Sequence, residues 1–274
     1  MAGVGFSLRA LGVDDGYKGV LRLYGAASVI SSGPWLLSVL TLLGIGRLGR
    51  SLVPEPGMIE RFQVCVTWLL GASLVLSGPL QLQFTRYIAD QSYLGRHGAI
   101  APNLQGALSL MSLLSAAVAL AASPLFPGQS LAEKLLLGVT FVTLSNIWIV
   151  VGVLNGQRRH LAVLGTFALG YLVTFGATLL LGRYGELGLL AGFVTGQATL
   201  LFAALATIYG EASVNAPVNG ATEPLVAFGF VGRRALYIDL LLIGLFYNAS
   251  IWADKLLFWF NPETSRAVLG PLRG

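Results

Sequence analysis

Charge is scarce in this chain. Only 11% of its 274 residues are Asp, Glu, Lys or Arg, whereas 55% are hydrophobic and the mean hydropathy is +0.76. Soluble domains carry about 25% charged residues, so a water-soluble globule is excluded. Cysteine is nearly absent. The single Cys65 cannot form an internal disulfide, and within an apolar stretch it is a small packing side chain. His97 and His160 are the only histidines, so no His/Cys cluster has metal-ligand spacing. No Walker phosphate loop occurs, and no carboxylates are paired as glycosyl transfer or hydrolysis would require. The enzyme class lacks the residues to carry it, and no cofactor is called for. The first 20 residues hold Arg9, Asp14, Asp15 and Lys18, without the apolar core and cleavage site of a secretory signal.

Long uncharged runs fill the chain. Residues 23–46, 62–85, 135–157, 161–182 and 187–210 contain no charged side chain. Each exceeds the roughly 20 residues that cross ~30 Å of hydrocarbon. The uncharged stretch 98–132 holds another span, from Asn103 to Ala122, and a seventh runs over 235–260. The fold class expected is therefore an all-α polytopic membrane protein with seven transmembrane helices. The net charge of +5 is spread singly and in pairs at the ends of these runs, as headgroup contacts and topology signals require, so nucleic-acid binding is excluded. With the N-terminus in the cytoplasm, the inner segments carry nine Lys and Arg, among them Arg86, Arg96, Arg158 and Arg159, and the outer segments seven. That bias favours a cytoplasmic N-terminus.

The loops are short apart from residues 85–102 and 211–234. In the first, Arg86 and Asp90 are one helical turn apart, so the preceding helix is expected to continue past the membrane surface. The second contains Asn215, Pro217, Asn219, Gly220, Glu223 and Pro224, the composition of a linker. The expected organisation is a six-helix lobe over 1–210, a cytoplasmic linker over 211–234, and a seventh helix with its tail over 235–274. Six helices, a linker and one more helix, ending at Pro271-Leu272-Arg273-Gly274, fit one lobe plus the first helix of a second, truncated lobe.

Two of the apolar runs carry the same tripeptide, Ser32-Gly33-Pro34 and Ser77-Gly78-Pro79. Proline removes a helical hydrogen bond and crowds the preceding turn. Both helices are therefore expected to be broken or bent at similar depth, with Gly33, Pro34, Gly78 and Pro79 as the break candidates. In lipid the freed carbonyls face protein or a water-filled cavity, and paired broken helices are typical of transporters. The breaks serve either as hinges or as static kinks.

These motifs, together with Met1–Phe6, Ile30–Trp35, Leu76–Leu82, Phe84–Asp90, Phe260–Ser265 and Gly270–Arg273, resemble the PelG family of Pel exopolysaccharide transporters. The resemblance spans the whole chain. It implies membership of the flippase superfamily that includes multidrug and toxin extruders, with two six-helix lobes around a central cavity and alternating access. It further implies a bacterial inner-membrane location and a polysaccharide substrate rich in N-acetylgalactosamine-type sugars. The implied partners are membrane lipids, PelD, PelE and a PelF-like cytoplasmic glycosyltransferase. Other readings are a lipid-linked oligosaccharide flippase, or a non-transporting scaffold of a synthase complex.

Asp254 and Lys255 are the only charges well inside a span. A charge at the centre of a span costs roughly 2.5–3.5 kcal/mol on the insertion scale, so such residues mark substrate or ion pathways unless they reach the interface. Twenty residues beyond Arg234, Asp254 falls near the outer surface, about 30 Å along the helix. Amides suit sugar hydroxyls but also join helices. Gln81, Gln83, Asn103, Gln105, Asn146, Asn155, Gln157, Gln197 and Asn248 all lie in or beside spans. Gln81, Asn146 and Asn248, with Asp254 and Lys255, are the transport candidates. Trp35, Trp68, Trp148, Trp252, Tyr24 and Phe84 are aromatics able to stack on sugar rings or to pack. Gly188, Gly192 and Gly196, and Gly152 with Gly156, have the four-residue spacing of close helix packing.

Overall fold

A computed structural model of the chain describes residues 17–55, 57–157, 159–214, 224–232 and 236–274. The Met1–Phe6 motif, Arg158 and residues 215–223, 233 and 234 of the 211–234 linker lie outside the described residues. Seven long helices are seen among the described residues: α1 (Tyr17–Leu48), α2 (Met58–Tyr93), α3 (Ile100–Ala122), α4 (Leu131–Gly156), α5 (His160–Leu181), α6 (Glu186–Val214) and α7 (Ile238–Phe260). A small antiparallel hairpin follows, with β1 (Ala267–Leu269) paired to β2 (Leu272–Arg273). The chain is an all-α polytopic membrane protein. Helices α2 to α7 are each long and apolar enough to cross a bilayer. The further span expected over 23–46 lies inside α1, a continuous helix of 32 residues.

Local chemistry sets several helix boundaries. Ser130 and Glu133 form a capping box at the start of α4. The Glu133 N–H donates to Ser130 Oγ at 3.3 Å, and the Ser130 N–H donates to Glu133 Oε2 at 2.7 Å. Gly57 precedes α2 at φ 92°, a conformation glycine adopts without strain. Helix α2 runs on to Tyr93, with Arg86 and Asp90 paired at 3.1 Å along its last turns, so the expected 85–102 loop shrinks to a short turn before α3.

Successive helices alternate direction, which gives the bundle two ends. One end gathers the α2–α3 and α4–α5 turns and residues 224–232, 236 and 237; this is the connector face. Arg159 Nη1 donates there to the Thr207 carbonyl, and Tyr209 donates to Gln105 Oε1. The other end gathers the α1–α2, α3–α4 and α5–α6 turns and the hairpin; this is the hairpin face. Arg61 pairs there with Glu186 at 3.1 Å, and Arg266 bonds Glu60.

Helix α4 is the most buried span and packs against α2, α3 and α6. Leu144, Ile147, Val150 and Leu154 meet a core that includes Phe84, Ile88, Leu104, Met111 and Phe193. Glycines set the closest seams. Side chains at Gly188, Gly192 or Gly196 of α6 would strike backbone or Thr side chains of α5, and Gly152 of α4 lies against Thr85 and Gln81 of α2. The four-residue glycine spacings are thus packing faces. Helix α1 lies mainly on α5, and α7 mainly on α2.

Candidate functional site

The two Ser-Gly-Pro helices differ in what holds them. Neither loses helical structure at the tripeptide: Pro34 lies inside α1 and Pro79 inside α2, and both helices continue through. The expected breaks are therefore continuous helix with a proline inside. Nor do the prolines sit level. Gly46 of α1 abuts Gln63 of α2, and counting from that contact Pro79 lies about 6 Å farther from the hairpin face than Pro34.

At Gly33, a Cβ would meet, among the described residues, the Leu164 side chain of α5, at 2.6 Å from its Cδ1. Ser32 and Trp35 beside it are exposed. At Gly78, a Cβ would lie 2.6 Å from the Gly244 carbonyl oxygen and would also strike the Asn248 amide. Asn248 is buried, and its Nδ2 donates to the Gly244 carbonyl at 3.0 Å. Helices α2 and α7 are therefore in backbone contact beside Pro79. The chain brings together Gly78, Pro79 and Asn248, with Gly244 as the member that sequence reasoning missed. The small-x3-polar spacing of Gly244 and Asn248 was the available signal.

The remaining candidates lie apart from this seam. Gln81 is half-buried between α2 and α4, beside Gly152. Asn146 is buried between α3 and α4. Its Nδ2 donates to Ser112 Oγ at 2.9 Å and to the Val142 carbonyl, while Oδ1 has no hydrogen-bond partner among the described residues. Asp254 and Lys255 are exposed and pair with each other at 3.2 Å. Adjacent residues point about 100° apart on a helix, but the long lysine stem curls back across that angle. Asp254 lies six residues before the end of α7, about 9 Å from it, close to the hairpin face as its position in the sequence suggested.

Two of the amides proved to be anchors. Gln83 is buried and holds both Phe230 and Tyr237: its Nε2 donates to the Phe230 carbonyl at 3.1 Å, and its Oε1 accepts from the Tyr237 N–H at 3.2 Å. Asn103 Oδ1 accepts from the Gly229 N–H at 2.6 Å, and the Ala227 N–H donates to the Pro102 carbonyl. Phe230 is fully buried, edge-on to Phe84 at 5.1 Å, and the Ala227 backbone rests on Gly106. The stretch leading into α7 is thus a strap tied to α2 and α3.

Aromatic side chains mostly pack. Trp68 stacks on Trp259 at 4.4 Å, and its Nε1 donates to the Arg273 carbonyl of the hairpin. Trp148 Nε1 donates to Ser73 Oγ. Tyr24 and Trp35 are exposed on α1. In the Phe260–Ser265 motif, Ser265 Oγ donates to the Trp259 and Asn261 carbonyls and accepts from Arg273 Nε. This motif and the Gly270–Arg273 turn therefore build one cap over the hairpin face. Hydrogen bonding to Glu60 holds the Arg266 guanidinium above its ordinary pKa.

What the arrangement offers is a multi-pass bundle with two unequally anchored proline helices and a tied connector. It offers no reactive cluster of side chains for covalent chemistry among the residues described above. No curated protein and no solved structure matches the chain. A family match does, over residues 1–274, and the chain belongs to the PelG family, "Putative exopolysaccharide Exporter (EPS-E)".

Proposed function

We propose that this chain moves a Pel-type exopolysaccharide across the bacterial inner membrane by alternating access, with its N-terminus in the cytoplasm. The family match supports polysaccharide export, and the apolar helices support the membrane setting. Translocation, not covalent chemistry, is the activity. The polymer arrives from a PelF-like glycosyltransferase on the connector face, where PelD and PelE also act as partners.

One observation carries the mechanical part: the unequal anchoring of the two proline helices. Pro79 is flanked by a glycine pressed on the α7 backbone, so straightening or swinging α2 there would drag α7 with it. Pro34 is flanked by a glycine that meets, among the described residues, the end of a leucine side chain. A proline kink with freedom on its outer side is the one able to bend. In this reading α1 is the moving wall and α2 with α7 the static one. The Gln83 strap keeps the entry to α7 fixed to the same static wall.

Deleting the encoding gene tests the function. Secreted polymer is expected to fall to background and to return when the gene is resupplied; unchanged secretion would contradict export. Orientation is tested in a Cys65→Ala background. Ser51→Cys on the hairpin face should react with an impermeant thiol reagent in intact cells, and Tyr93→Cys on the connector face should not. The reverse pattern would invert the topology.

A further inference from the structure

Two apolar cavities of about 180 and 690 Å³ share Trp68, Ala72, Val118 and Phe141 in their walls, so they form one groove. It runs between α2, α3 and α7, past Leu76, Leu114 and Leu245, at the depth of the hydrocarbon. Its far end lies at the hairpin face, where Ser123, Phe126, Leu272 and Lys134 line it. Lys134 is the only charged residue among the lining side chains.

Length and lining chemistry decide what fits. From Trp68 to Leu80 the groove follows α2 for about 18 Å, at 1.5 Å per residue. The larger cavity, about 690 Å³, lies along that length. Water gains nothing from walls that offer so few polar groups. A hydrocarbon chain fits both the length and the apolar walls, and the lysine at the end nearest the headgroups favours a negative charge there.

We propose that this groove is a binding site for an anionic phospholipid, with one acyl chain along Leu76, Leu114 and Leu245 and the phosphate at Lys134. Among the described residues, no amide side chain lines the groove. A lipid held there fills the space between α3 and α7 and becomes part of the wall that the α2–α7 seam builds. The proposal stands whether or not the chain exports polysaccharide.

The test uses the chain in phosphatidylcholine nanodiscs containing a trace of phosphatidylglycerol with a photoreactive group near the end of one acyl chain. A phosphatidylcholine probe with the same chain is the comparison. The phosphatidylglycerol probe should label peptides containing Leu110–Val118 and Leu241–Leu245 in preference to those containing Leu172 and Phe202, which are exposed on α5 and α6. Lys134→Gln should reduce that labelling about fivefold, the worth of one basic residue beside an anionic headgroup, and bring it to the level of the phosphatidylcholine probe. Leu114→Trp should fill the groove and remove most labelling of either probe. Label spread evenly over groove and outer helix faces in the unmodified chain, or equal labelling by the two probes, would overturn the proposal without needing any variant to fold.

Discussion

Gly78 and Gly244 meet backbone to backbone: a methyl group on Gly78 would fall 2.6 Å from the Gly244 carbonyl oxygen, and one on Gly244 would run into the Gly78 carbonyl. Backbone atoms cannot step aside as a side-chain tip can. Close approach of this kind is how membrane helices gain packing contacts when lipid supplies no hydrophobic drive. The contact explains why a glycine precedes Pro79 and why α7 lies against α2.

Gly78→Ala and Gly244→Ala are each expected to destabilise the protein by about 1–3 kcal/mol, the usual cost of overpacking. Gly176→Ala on α5 is the control, because nothing lies within 4 Å of its added Cβ. There the substitution should be neutral or stabilise by up to about 1 kcal/mol, the helix-propensity gain. Thermal unfolding in detergent measures all three. Equal behaviour of Gly244→Ala and Gly176→Ala would remove the seam.

Pro34→Ala and Pro79→Ala should differ. Pro79→Ala is expected to lower the amount of folded protein, because Pro79 lies within the contact with α7. Pro34→Ala should leave that amount unchanged and slow export, because it stiffens the helix proposed to move. Secreted polymer per unit of folded protein separates the two effects. Identical profiles for both variants would remove the asymmetry.

Much of this architecture was legible in the sequence. Lipid demands about 20 uncharged residues per span, so the hydrophobic runs located α2 to α7 directly. The span expected at Asn103–Ala122 is α3 at Ile100–Ala122, and the one expected over 235–260 is α7 at Ile238–Phe260. The Arg86–Asp90 spacing correctly extended α2 beyond the membrane run. What spacing could not give is which helix faces which. A glycine states that something comes close without naming it, and so Gly33 on α5 and Gly78 on α7 looked alike. Amides are equally ambiguous. Gln83 and Asn103 fit a sugar cavity by type, yet their partners are backbone groups more than a hundred residues away. Asp254 and Lys255 stood out as charges, but their mutual pairing depends on a lysine rotamer that composition does not fix.

The strap should loosen when its amide anchor is lost. Gln83→Leu leaves the Phe230 carbonyl and the Tyr237 N–H without that partner, at about 1–3 kcal/mol per buried group left unsatisfied. Amide exchange at Gly229 and Tyr237 should accelerate by at least about tenfold, while the α4 core stays protected. Unchanged exchange at those two amides would show that Phe230 burial alone holds the strap.

Asp254 has Lys255 as its pairing partner and is otherwise exposed. Asp254→Asn is therefore expected to leave unfolding unchanged. If the carboxylate faces the transport path, export per folded protein should fall by about tenfold, the scale of a 1.4 kcal/mol coupling. Lys255→Gln should cost less, since the lysine can reach the interface. Full export by Asp254→Asn would place the residue outside the path.

The central claim is that α1 moves during export while α2 and α7 stay together. It is tested most directly by paired cysteines in an exporting cell lacking its own copy of the gene, in a Cys65→Ala background. Gly33→Cys with Leu164→Cys ties α1 to α5, and Gly71→Cys with Trp252→Cys ties α2 to α7; both pairs are in contact. Oxidation of the first pair should stop polymer secretion, and reduction should restore it. Oxidation of the second pair should leave secretion intact. Secretion that continues with the α1–α5 pair fully cross-linked, or that stops with the α2–α7 pair cross-linked, would contradict the account.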